Sequence, residues 1–331
     1  MSTNNVSSRV QVTSGPDTRT PSPVRDDLWF MDGNIVVSTK LLSFRVHKEF
    51  LAKHSPVFRD LFRIPQPTHA LKVDDCALVE LHDDSYHVRY LLHALYDRSF
   101  FTEVDDIPNF VEVAAGIISI AHKYDIKHLY NEAIRRTRSV YPTSFTRLDE
   151  MPAFQVDVFE PCKHSGIIFL INVIRRLDTP ELNELLPLAF YICCQLPADL
   201  LIYGVTSSSG AKYQLSTQDL QRCISGKEYL LSENGVSTLC FAPTEENLSK
   251  HCNEPDSCLN AMVMVTVAAL RDKIFSSCDA LSNIESWIYD RADQAGLCED
   301  CVEHLRERHA ENREMTWDSL TVMFNLQRWR Y

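Results

Sequence analysis

The sequence predicts an α+β fold, in which a short sheet packed with helices is followed by a mostly α-helical domain. Two observations carry that expectation. Apolar residues alternate with polar ones from Ile35 to Val46, then take helical spacing from His47. From Ile167 onward the apolar spacing is almost entirely helical.

Ile35, Val37 and Thr39, then Leu42, Phe44 and Val46, predict two half-buried strands around a turn near Lys40. Phe50 and Leu51 begin a helix, which Ser55-Pro56 restarts. Ser55 suits the cap, and Pro56 suits a first turn where its missing N–H costs nothing. Val57, Phe58, Leu61 and Phe62 form the next stripe expected to be buried. Ala77 to Leu81 reads as a third strand. Val88, Leu91, Leu92, Leu95 and Tyr96 repeat as a core-facing helix. Phe110, Val113, Ala114, Ile117, Ala121 and Tyr124 trace one face of a long helix, and Leu129, Ala133 and Ile134 a second.

Tyr141-Pro142 and Met151-Pro152 mark a break. Helical segments follow at Ile167–Leu177 and Leu182–Leu201, the latter divided by Pro187 and Pro197. Further helices are expected at Thr217–Leu231, opened by Ser216 or Thr217 with Asp219, and at Cys258–Ile274, Ile284–Asp293 and Leu297–Ala310. A last one, Trp317–Trp329, should bury Leu320, Met323 and Phe324. The organisation expected is a disordered Ser/Thr/Asn/Pro-rich tail at 1–24, an α+β domain at 25–140, a linker at 141–165 and a helical domain at 166–331.

Val46-His47-Lys48, Leu51-Ala52, Ser55 to Phe58, Phe62, Val79-Glu80-Leu81 and the Leu91–Tyr96 helix, with Ala121 to Ile126 and Leu129 beyond, resemble the BTB/POZ domain over residues 27–137. The acidic, helical second half, with Leu215 to Cys223 and Leu297 to Cys301, is similar to the large group of fungal BTB proteins. The resemblance implies a non-enzymatic protein–protein adaptor. In cullin-binding members the contacts come from the loop and helix after the third strand, which here means His82, Asp83, Asp84, Tyr86 and Tyr90. Substrate adaptor of a cullin-type ubiquitin ligase is the alternative, although the loop carries no hydrophobic-x-Glu element. An enzyme housed in the C-terminal domain is another. Many family members dimerise through a helix before the first strand; no amphipathic segment precedes Trp29, and a homo-oligomer is left open. The resemblance also implies a structural role for His47, at the strand–helix junction.

A formal charge of −12 argues against broad phosphate-backbone binding. Arg135, Arg136 and Arg138, like Arg306 and Arg308, read as solvated helix faces. The longest apolar run, Cys258 to Leu270, is too short to span a bilayer, so neither nucleic acid nor membrane is expected as partner. Eleven cysteines without an export signal read as reduced thiols in cytoplasm or nucleus. Gly33, Gly116 and Gly166 are isolated and form no phosphate cradle, and no nucleophile motif is found. No cofactor is therefore expected, with one alternative. Cys298 and Cys301, with Cys252 and Cys258, have the chemistry of a four-thiolate structural zinc site. Against zinc, Cys298, Cys301 and Leu305 share one helix face, where thiols pack as small hydrophobes. Core thiols are the favoured expectation, for this set and for Cys193-Cys194.

Overall fold

β-Branched residues and the tight turn after Ser38 build the centre of a sheet, and the rest of the first half assembles on it. The computed structural model describes residues 23–65, 71–97, 99–100, 110–151, 165–207 and 210–326. Its first part holds β1 (Val24–Trp29), β2 (Ile35–Ser38), β3 (Leu42–Val46), α1 (Lys48–His54), α2 (Pro56–Leu61), β4 (Lys72–Val73), β5 (Cys76–Glu80), α3 (Ser85–Tyr96), α4 (Phe110–Lys123) and α5 (Lys127–Val140). The strands form one five-stranded sheet in the order β1-β3-β2-β5-β4. β2 runs antiparallel to β3 and parallel to β5, with Val37 opposite both Phe44 and Val79. Ser55 caps α2 through its hydroxyl, which accepts the Phe58 N–H at 3.0 Å, and Pro56 takes the first turn.

β1 and β4 are strands that periodicity does not predict. β1 begins at Val24, inside the stretch read as tail, and lies parallel to β3. Its Asp26 side chain points inward to Arg89 Nε at 2.9 Å. Residues 1–22 lie outside the described residues. Phe58 is buried as expected, but Val57 is exposed, because it sits on the solvent side of a six-residue helix.

The second part is helical, as predicted: α6 (Phe145–Asp149), α7 (Ser165–Leu177), α8 (Pro180–Asn183), α9 (Leu186–Gln195), α10 (Ala198–Tyr203), α11 (Thr217–Ser237), α12 (Pro255–Arg271), α13 (Glu285–Ala295) and α14 (Glu299–Met323). A small hairpin, β6 (Val205–Thr206) and β7 (Lys212–Tyr213), interrupts it. Pro187 falls in the first turn of α9 and Pro197 at the N-cap of α10, so both prolines start helices. The separate helices expected at 297–310 and from Trp317 are one continuous α14, since nothing between them breaks the helix. Its far end buries Leu320 and Phe324. Within the segment expected to be a linker, α6 buries Leu148, and Asp149 pairs with Arg313 of α14.

One hydrophobic core runs through both parts, from Ile35 and Phe44 through α4, α7 and α9 to Phe324. Sequence spacing marks one face of α4; the helix is in fact buried from Phe110 through Ile118, because α3 and α5 pack on it together with α7. Small residues make that possible. A Cβ at Gly116 would stand 2.7 Å from the His87 ring. A second, smaller core lies apart from the first. Phe241, Met262, Val265, Phe275, Ile288, Cys301 and Leu305 belong to it.

Candidate functional site

In the loop after β5, Asp83, Asp84 and Ser85 each hold a hydrogen-bond partner. Leu81 N–H donates to Ser38 O at 2.8 Å, carrying the sheet pairing one residue past β5. His82 is exposed. Asp83 receives Lys123 Nζ and the Tyr124 hydroxyl, each at 2.6 Å. Asp84 caps α3: its Oδ1 accepts the N–H of Tyr86 at 2.9 Å and of His87 at 3.1 Å. Ser85 Oγ accepts the Leu41 N–H at 3.1 Å, tying the β2–β3 turn to the start of α3.

Tyr86 and Tyr90 are half-buried on α3. Burial pushes the Tyr90 hydroxyl up to about 12, with the Glu112 carboxylate adding to the shift. Of the five residues expected at a partner surface, His82 alone is exposed; Asp83 and Asp84 hold the loop in shape. Sequence spacing could not show the role of Asp83, because Lys123 and Tyr124 lie about 40 positions away; the Asp84 cap is local, with partners two and three residues on.

Beside this loop runs a groove of about 1150 Å³. Arg25, Trp29, Lys40 and Leu41 line one part of it, His82 to Ser85 another, and Gly210-Ala211 of the β6–β7 turn also contribute. Arg25 lies over the Trp29 ring, 4.3 Å from its centroid, and pairs with Asp74 at 3.0 Å. At the strand–helix junction, the His47 N–H donates to the Tyr96 hydroxyl at 3.0 Å, and its Nε2 lies 3.3 Å from Asp32.

Residues 25–137 match the family model of the BTB/POZ domain. The N-terminal part of this chain is a BTB/POZ domain. No curated protein and no solved structure matches the chain. A BTB/POZ domain is a protein-interaction module, and the loop just described and most of the groove's lining belong to it.

Most arginines of the two basic clusters are engaged by carboxylates. Arg135 and Arg136 pair with Glu132, Arg138 with Glu184, and Arg306 with Glu285 and Glu303. Among the described residues, no helix is long and apolar enough to cross a membrane. α12, the longest apolar run, instead buries one face and exposes Val263, Met264, Val267 and Leu270 on the other.

The C-terminal part also brings four cysteines together. The Sγ atoms of Cys252, Cys258, Cys298 and Cys301 all lie within 4.8 Å of one another, and Cys252 Sγ is 3.9 Å from Cys298 Sγ. Cys252 sits in a loop, Cys258 in the opening of α12, Cys298 at the N-cap of α14 and Cys301 in its first turn. Cys258 and Cys301 are buried, Cys252 and Cys298 half-buried.

Burial raises the Cys258 and Cys301 thiols. At Cys298 burial acts the same way, but hydrogen bonds from the Cys301 N–H and from the neighbouring thiols outweigh it and lower the thiol. His251, His304 and His309 are not in the group. His309 instead accepts the Ile284 N–H at its Nε2. Cys193 and Cys194 are fully buried in the main core.

Proposed function

We propose that this protein is a non-enzymatic adaptor, which binds one partner protein through its BTB/POZ surface and a second through its helical half. The match of residues 25–137 to the BTB/POZ family carries the proposal. The hydrogen-bonded loop from Leu81 to Ser85 and the groove beside it offer a preformed contact surface, which lowers the ordering cost of binding. On the helical half, Val263, Val267 and Leu270 recur at helical spacing with Met264 beside them, and Leu270 is 66% exposed. A solvent-facing apolar stripe of this kind is the sort that protein partners cover.

Affinity purification of the full chain from its native extract, followed by mass spectrometry, tests the proposal. His82→Glu should deplete one set of captured proteins, and Met264→Lys with Val267→Lys a different set. If both variants return the parental set, neither surface is a partner site. Direct binding of a cullin, lost in His82→Glu, would narrow the role to a ubiquitin-ligase substrate adaptor.

A further inference from the structure

We propose that Cys252, Cys258, Cys298 and Cys301 bind one structural zinc ion as a closed tetrahedral site. Four thiolates about 2.3 Å from a central zinc stand about 3.8 Å apart along the edges of the tetrahedron. The Cys252–Cys298 separation of 3.9 Å fits that edge, and all four sulfurs fall within 4.8 Å of one another. The same distance is nearly twice a disulfide bond length of about 2.05 Å.

Chain topology supports the assignment as well. The four ligands come from three separate segments, and nothing in packing a core requires thiols from three segments to meet at one point. Cys193 and Cys194 also meet Cys223 in the main core, but those three sulfurs do not all lie within 4.8 Å of one another as these four do. Binding releases the thiol protons to solvent and leaves a site of net charge −2. The opening of α12 and the N-cap and first turn of α14 face that charge with their positive helix ends, which favour an anion. A site with four protein ligands has no open position for substrate, so its role is structural. It closes the small second core by fastening the 248–252 loop to the starts of α12 and α14.

Metal analysis of the purified full chain, with exchange to cobalt(II), decides the matter. One equivalent of zinc per chain is expected, with intense sulfur-to-cobalt charge-transfer bands after exchange. Cys298→Ser with Cys301→Ser should remove the metal, whereas Cys240→Ser, in the same small core, should keep it. A chelator should strip hydrogen-exchange protection from α12 while sparing β2 and α4. Substoichiometric zinc in the parental chain would overturn the assignment, whatever the variants do. So would iron in its place, or a Cys252–Cys298 disulfide found by mass spectrometry of the non-reduced protein.

Discussion

Gly166 of α7 lies so close to Glu112 of α4 that a Cβ at position 166 would stand 2.6 Å from the Glu112 amide nitrogen. The two helices cross at that point, and only a residue without a side chain lets their backbones come this near. Gly166→Ala must part the helices or bend one, at a cost of about 1–3 kcal/mol. A lower urea midpoint for the full chain is the expected result. An unchanged midpoint would show that the crossing tolerates a methyl group.

Glu112 is itself 2% exposed, and one of its carboxylate oxygens, Oε2, has no hydrogen-bond partner. Burial raises its pKa, against a Ser207 hydrogen bond that lowers it. Such a group holds its proton more tightly when folded, so its contribution to stability is present at low pH. That contribution is lost as pH rises past the unfolded value of 4.5. Near neutral pH, Glu112→Gln should therefore stabilise the chain, by about 1 kcal/mol. Thermal unfolding of both proteins at neutral and acidic pH checks this, since the gain should shrink on acidification.

His309 has the opposite sign. Its Nε2 accepts a backbone N–H, and burial lowers its pKa from 6.5 to about 4, with the Arg313 guanidinium adding to the effect. The unfolded chain then binds the proton that the folded chain refuses. Stability should fall as pH drops from 6.5 toward 4, by up to about 3 kcal/mol from this residue. His309→Gln should flatten that slope in acid titrations followed by circular dichroism. A parental slope in the variant would assign the acid sensitivity elsewhere.

Phe58 is 1% exposed and stacks on Tyr124 with ring centroids 4.3 Å apart. Phe58→Asp would place an unpaired charge in the core, costing several kcal/mol against a total stability of about 5–15 kcal/mol. Loss of the cooperative melting transition is expected, and a parental melting temperature would contradict it.

The parts of the fold that were legible in the sequence are those held by local patterning. β2, β3 and β5 alternate, α3 repeats at helical spacing, and Ser55-Pro56 announces α2. β1 was illegible because Asp26 and Asp27 interrupt its apolar pattern; parallel pairing with β3 and the Asp26–Arg89 ion pair hold it in place. α4 shows one stripe to a reader of periods, yet α7 covers its other side, and Gly116 and Ala115 were the only local hints of that. For the cysteines, the sequence named Cys252, Cys258, Cys298 and Cys301 but could not show that their sulfurs converge. Their meeting depends on the turn between α13 and α14 and on the loop before α12.

The shared core has a consequence for what the two proposed surfaces could do together. Modules joined by a flexible tether search a cloud of mutual orientations, and the tether's length sets their effective concentration. Here apolar packing of α4 against α7 joins the BTB/POZ domain to the helical half directly. Two proteins docked on such a body would be held at one spacing and one angle, as on a ruler. A substitution at the Gly166 crossing would alter that geometry.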